Sequence, residues 1–190
     1  LVDSKKTTEE IIKEAFLDIY KEKPLDKIKV SYFVDTCNIS RSTFYFYFKD
    51  VYDLYSKCER DMILYLEEGL TDLCMSTIRA NFKKHAKLYS NYLKKFIEKK
   101  DAIAMFIEGS EADSFHQALF DSVASWYSQV IKFSVDMDER KKEILVRFYS
   151  GGWVTMLEDW IKNGCDVPPS VIGDIIATLQ YRGFFLQESP

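Results

Sequence analysis

The first glycine of this chain is Gly69, and from the N-terminus onward apolar residues return every three or four positions. Ile11, Ile12, Ala15, Phe16, Ile19 and Tyr20 fall on one side of that repeat, with Glu9, Glu10, Lys13, Glu14 and Lys21 on the other. A stripe of this period fits a helix lying on a core and not a strand, whose side chains alternate with a period of two. Alternating runs bounded by Asn-Gly or Gly-Pro turns, which announce hairpins, are absent. The pattern predicts an all-α fold.

A pass along the chain divides it into helices. Pro24 closes the first, because the residue before a proline avoids helical angles. Val30 to Cys37 forms a short second helix with Phe33, Val34 and Cys37 as its buried side. Asn38 supplies a turn, since asparagine tolerates the left-handed conformation. Ser40 is a good N-cap for a third helix over Arg41–Phe48. Asp50 can cap a long fourth helix, with Leu54, Cys58, Met62 and Leu66 on its apolar side and an end near Gly69. Further helices are expected at about 82–100, 102–108, 112–135, 138–163 and 169–183, separated at Asp101, Gly109–Ser110, Asp136–Asp138 and Gly164–Pro169. There is no internal repeat and no low-complexity linker. The expected organisation is a three-helix domain over residues 1–50 and, joined to it by the long fourth helix, a second helical domain over 51–190.

Composition excludes several classes. The uncharged runs Ser122–Ile131 and Phe148–Leu157 are shorter than the roughly 18–20 residues a membrane span needs. No charged-then-apolar leader opens the sequence, so no signal peptide is expected. Cys37, Cys58, Cys74 and Cys165 are scattered, and only two histidines occur. That argues against a zinc site or a disulfide framework and suits a reducing cytoplasm. Neither metal nor cofactor is expected. Net charge is −4, yet residues 1–60 balance with eleven charges of each sign. Charge thus permits a local phosphate footprint without pointing to one.

Two short helices around a turn, after a longer helix, make the helix-turn-helix pattern. The second must be narrow and polar outward to enter a major groove about 12 Å wide. Phe44 and Phe48, four apart, can point inward. Arg41, Ser42, Thr43, Tyr45 and Tyr47 then point outward, and no acidic residue stands between Ile39 and Lys49.

These residues resemble a known family. Asn38-Ile39-Ser40-Arg41-Ser42-Thr43-Phe44-Tyr45-Phe46-Tyr47-Phe48-Lys49 is similar to the TetR-family signature, roughly G-V-S-x-x-T-[LF]-Y-x-Y-F-x. Thr7–Phe16 resembles that family's first helix and Val30–Cys37 its second. The resemblance implies that Ser40, Arg41, Ser42, Thr43, Tyr45 and Tyr47 face double-stranded DNA, with Thr7, Lys29 and Lys49 completing the contact, Lys49 on phosphate. Four positions depart from the pattern. Asn38 replaces the turn glycine, Lys29 the usual threonine before helix two, Val34 a small alanine, and Val51 a basic residue. Modest DNA affinity is therefore expected.

The remaining two-thirds carries a second resemblance. Gly151–Gly164 followed by Val167-Pro168-Pro169 is similar to a TetR C-terminal subtype with a glycine pair in its penultimate helix. Each mid-helix glycine costs roughly 1 kcal/mol against alanine, so the pair should permit a close backbone approach. Gly151, Gly152, Trp153, Leu157, Trp160 and Ile161 are expected, with Ile172, Ile175, Ile176 and Leu179, to form a four-helix homodimer interface. The alternative is that these faces bury within one chain. Pairing also follows from recognition, because two reading helices about 34–36 Å apart read a palindromic operator. Phe96, Phe106, Phe120, Trp126, Tyr127 and Tyr149 either line a pocket for a small-molecule effector or belong to the core.

An enzyme is not expected. There is no G-x-G-x-x-G, P-loop, G-x-S-x-G or H-E-x-x-H. His85 and His116 have no carboxylate or cysteine at ligand spacing, and Glu67-Glu68 and Glu158-Asp159 look like solvated helix faces. Together with the resemblance, the sequence leads to the expectation of a cytoplasmic, dimeric DNA-binding regulator; that it is a repressor released by a small ligand is what the resemblance implies. A co-activator of the same fold, acting through a protein partner, is the alternative.

Overall fold

Residues 6–77, 82–134 and 138–180 are described by a computed structural model, in which they form helices and turns with no strand among them. The helices are α1 (Thr8–Tyr20), α2 (Val30–Thr36), α3 (Arg41–Tyr47), α4 (Val51–Thr77), α5 (Phe82–Glu98), α6 (Lys100–Glu108), α7 (Ala112–Ser134), α8 (Glu139–Lys162) and α9 (Pro169–Gln180). The expected all-α class is what the chain adopts.

Local chemistry sets most boundaries. Thr7 and Glu10 form a reciprocal capping box at the start of α1, with the Glu10 carboxylate accepting the Thr7 N–H at 2.7 Å. That bond holds the Glu10 carboxyl below its ordinary range. α1 ends at Tyr20, ahead of Pro24, and a 3₁₀ turn at Leu25–Lys27 intervenes before α2. α2 ends on Asn38, whose φ of 51° is left-handed, and the Ile39 N–H reaches the Val34 carbonyl at 3.2 Å. That six-to-one bond is the Schellman closure. The same closure ends α8 at Gly164 (φ 71°), where the Cys165 N–H meets the Trp160 carbonyl at 2.8 Å.

Two expectations are corrected. α4 runs through Gly69 to Thr77, because that glycine is a notch and not a terminator. A Cβ at Gly69 would stand 2.6 Å from the Tyr92 ring of α5, so bare backbone is needed where the two helices meet. Within the chain the glycine pair makes no close helix–helix approach. Nothing lies within 4 Å of a Cβ built on Gly152, and Gly151 only just reaches Phe120. The glycine that does is Gly173 of α9, whose Cβ would lie 2.7 Å from the Ala86 carbonyl oxygen of α5. The break after α5 falls at Lys99, leaving Asp101 in the first turn of α6, where a carboxylate suits the helix dipole. The expected break at Asp136 and the end of the last helix near 183 lie outside the described residues.

α4 ties the molecule together. Its buried stripe, from Val51 through Leu54, Tyr55, Cys58, Met62, Leu66 and Leu70, runs past α1, α5 and α7. An aromatic chain continues the connection. Tyr20 packs on Tyr55 at 5.5 Å, Tyr55 on Phe106 at 5.7 Å, and Phe106 stacks on Phe115 at 5.1 Å. The α6–α7 turn docks on this seam: Leu25 N–H donates to the Ser110 hydroxyl at 3.2 Å, and the Tyr55 hydroxyl donates to the Glu111 carbonyl at 3.2 Å. α5 lies along α9, and α7 along α8.

Candidate nucleic-acid interface

α3 is held from beneath. Phe44 is fully buried, stacked on Phe33 of α2 at 5.3 Å and 5.6 Å from Phe48. Ser40 caps its start, accepting the Thr43 N–H at 3.0 Å and pairing with the Ser42 hydroxyl at 2.6 Å. Lys57 of α4 holds its end, donating to the Tyr47 carbonyl at 2.7 Å while lying 4.9 Å over the Phe48 ring. Asp50 and Asp53 organise the next turn. Asp53 accepts the Lys49 N–H at 3.0 Å, which lowers its pKa, and donates its own N–H to Asp50 at 2.8 Å. A helix of seven residues is too short to hold itself in water; these contacts fix its pose.

At about 100° per residue, Ser42 and Phe46 lie opposite Phe44, each about 160° away, with Tyr45 at about 100° and Arg41 at about 60° on the same flank. All four are exposed, Tyr45 at 55% and Phe46 at 81%. Thr43 and Tyr47, expected among the outward residues, are half-buried at the edges of that arc. Phe46 is the residue that sequence reasoning missed. It occupies the variable position of the motif, and only the helical phase relative to Phe44 and Phe48 reveals where it points. α3 contains no carboxylate, and Arg41 makes no ion pair among the described residues.

The flanking positions are mixed. Thr7 is occupied as a helix cap, though its residue is exposed. Lys29 and Lys49 are exposed, and Lys29 supplies no side-chain cap to α2. Val51 is buried, which accounts for an apolar residue where the motif usually has a basic one.

The expected pairing residues divide into two groups. Trp153, Leu157, Trp160, Ile161, Ile172 and Ile176 are buried within the chain, Trp153 between Tyr92 and Phe96 and Trp160 donating Nε1–H to the Val167 carbonyl at 2.8 Å. Gly152, Ile175 and Leu179 are exposed, and Gly151 is half-buried. Phe148 (73% exposed) and Val171 join the exposed group. Between α7, α8 and α9 lies a cavity of about 490 Å³, lined by Tyr127, Tyr149, Trp153, Met156, Ile176 and Gln180, with Phe148, Gly152, Ile175 and Leu179 also on its wall. Gln180 is buried, accepts from the Tyr89 hydroxyl at 2.5 Å and donates to that of Tyr127. No charged side chain lines the cavity.

Of the expected pocket aromatics, Tyr127 and Tyr149 line this cavity, and Phe120 lines an open cleft between α7 and α8. Phe96, Phe106 and Trp126 are core residues, buried against neighbouring rings. His116 meets a carboxylate after all: its Nδ1 lies 2.8 Å from Glu158 of α8, a neighbour 42 positions away that spacing could not reveal. No group of three or more His, Cys, Asp or Glu among the described residues could hold a metal ion, and no described helix is long and apolar enough to cross a membrane. The side chain of Cys74 lies outside those described.

A TetR-type family model described as "Transcriptional regulator C-terminal region" matches residues 86–181. Three solved structures share the fold. The "Dihydroxyacetone kinase operon activator DhaS" aligns over 96% of this chain and 98% of its own, at TM-score 0.66 and 19% identity. The "fatty acid degradation regulator FadR from Bacillus halodurans" aligns over 98% and 100%, at TM-score 0.66 and 12% identity. A "tetR-family transcriptional regulator from Streptomyces coelicolor" aligns over 90% and 77%, at TM-score 0.55 and 14% identity. No curated protein sequence matches the chain.

Proposed function

This chain belongs to the TetR family of transcriptional regulators, and we propose that it binds a palindromic operator as a homodimer, represses transcription there, and is released by a small ligand. Residues 1–50 form the DNA-binding helix-turn-helix in this reading, and residues 51–190 the pairing and effector domain. One observation carries it: α3 presents Arg41, Ser42, Tyr45 and Phe46 outward with no carboxylate, on a base fixed by Phe44 and Phe48. A helix so placed can enter a major groove with its donors toward base edges. Thr7, Lys29 and Lys49 would add phosphate contacts, and Ser40, Thr43 and Tyr47 would flank the reading face.

Exposed apolar side chains support pairing. Phe148, Val171, Ile175 and Leu179 lie on α8 and α9 beside the open hollow at Gly152, a face that water covers only at a cost. Two copies of it form a self-complementary four-helix contact. The cavity opens on the same face, so a bound effector would lie against the second subunit and report directly on how the two reading helices are spaced. Its uncharged wall favours a neutral, mostly apolar molecule, since an ion there would be desolvated without a partner.

An activator is the second reading, favoured by the likeness to a structure titled as an operon activator. In that version the contact is made to a protein partner in place of DNA. Selection of duplexes from a random DNA pool by the purified full-length protein separates the two. Enrichment of a palindrome supports direct binding; no enrichment at low salt defeats it.

A further inference from the structure

We infer that Phe46 is a base-reading residue that recognises the 5-methyl group of thymine in each half-site. The inference rests on the proposal that α3 enters DNA, and it names what α3 reads there.

Phe46 is 81% exposed, more than any other large hydrophobic residue of the described chain. Its position is set by the helix and not by a loose side chain on a loop. It lies two residues after fully buried Phe44, about 160° around α3 when counted the short way, and so projects directly away from the core. Its ring meets that of Tyr47 edge-on at 5.0 Å, while Tyr47 is itself half-buried and tethered through its carbonyl to Lys57. The phenyl ring therefore stands on a supported neighbour.

The rest of the face supplies few hydrogen-bonding groups to read bases. The Ser40, Ser42 and Thr43 hydroxyls bond to one another at 2.6 and 2.8 Å, and Ser40 is also spent on the Thr43 N–H. Arg41 is the one cation on α3, with Tyr45 beside it. The face is accordingly cationic at its start, free of carboxylates, and aromatic at its centre. Cationic character suits a polyanion. In a major groove the apolar feature an aromatic ring can meet is the thymine methyl, which protrudes beside the T O4 acceptor. A protein partner would cover Phe46 as well, but the cation without a balancing carboxylate on the same helix favours DNA.

The test uses full-length protein and the duplex recovered by random-pool selection. Each thymine of one half-site is replaced in turn by uracil, which removes only the methyl group. Wild-type protein is expected to lose roughly fourfold in affinity at one position per half-site, the value of one buried methyl. Phe46→Ala, which removes the contact in both subunits, should bind the thymine duplex about fifteenfold more weakly and be indifferent to uracil at that position, whereas Phe46→Leu should keep the preference. Because the side chain is exposed, its removal leaves the fold intact, and circular dichroism confirms this. If a duplex is enriched but wild type and Phe46→Ala share one uracil profile, Phe46 does not read thymine, and direct DNA binding stands without it. If no duplex is enriched at all, the DNA-binding reading and this inference fall together.

Discussion

The Tyr20 hydroxyl of α1 occupies the space that a Cβ on Gly109 would need, so the last turn of α1 and the α6–α7 turn touch backbone to side chain. The same hydroxyl accepts the Glu111 N–H at 3.4 Å. Gly109 has an ordinary extended conformation (φ −73°, ψ 175°), so its role is space and not backbone freedom. Gly109→Ala should therefore force Tyr20 out of its seat and destabilise the protein by about 1–3 kcal/mol, the usual range for overpacking. Thermal unfolding reads this as a fall in Tm. An unchanged Tm would mean the contact yields without cost.

The caps of α2 and α3 give opposite expectations. Ser40→Ala removes the acceptor for the Thr43 N–H and should cost about 1 kcal/mol. Lys29, at the corresponding place before α2, offers no side-chain bond, so Lys29→Thr should stabilise by about half as much or more. Urea midpoints of the two variants should move in opposite directions from wild type.

Acid should weaken the fold through His85. Its imidazole is buried, stacked on Tyr89 at 5.3 Å, and burial pulls its pKa down to about 4. In an unfolded chain histidine titrates near ~6.5, so between the two values the unfolded state takes up the proton first. This contribution is complete above the unfolded value and is lost as pH falls from about 6.5 toward 4, at no more than about 1.4 kcal/mol per pH unit. Urea unfolding at a series of pH values in that window should show the slope, and His85→Leu should flatten it. Equal slopes in both proteins would remove His85 as the cause.

The exposed and buried positions of α8 and α9 should behave differently. Phe148→Asp and Leu179→Asp, both at exposed positions, should leave helicity intact and yield a monomer in sedimentation. Trp153→Ala should instead cost about 3–5 kcal/mol in folding stability, because Trp153 is buried between Tyr92 and Phe96. A wild-type monomer at micromolar concentration would contradict the pairing proposal outright.

Local rules made much of this molecule legible. The Asn38 turn, the Ser40 cap and the inward Phe44 and Phe48 all follow from local sequence, and each is where the sequence suggests. What escaped depends on distant partners. Gly69 looked like a helix end because its reason for being glycine is Tyr92, on another helix. The apolar residues of α8 formed one apparent face, but Tyr92 and Phe96 of α5 take Trp153 while Gly152 faces outward. Periodicity shows that a face is apolar, not which neighbour covers it. Phe46 escaped for a different reason: a motif marks its variable position as free, and only the phase of α3 shows that position to be the most exposed.

Footprinting of the full-length protein on its selected duplex tests direct reading by α3 most sharply. The account predicts two protected major-groove patches on one side of the DNA, centred about 34–36 Å apart. Both should vanish with Arg41→Ala, an exposed substitution that leaves the fold and oligomeric state unchanged. No protection at low salt, a single patch, or a footprint indifferent to Arg41→Ala would contradict it.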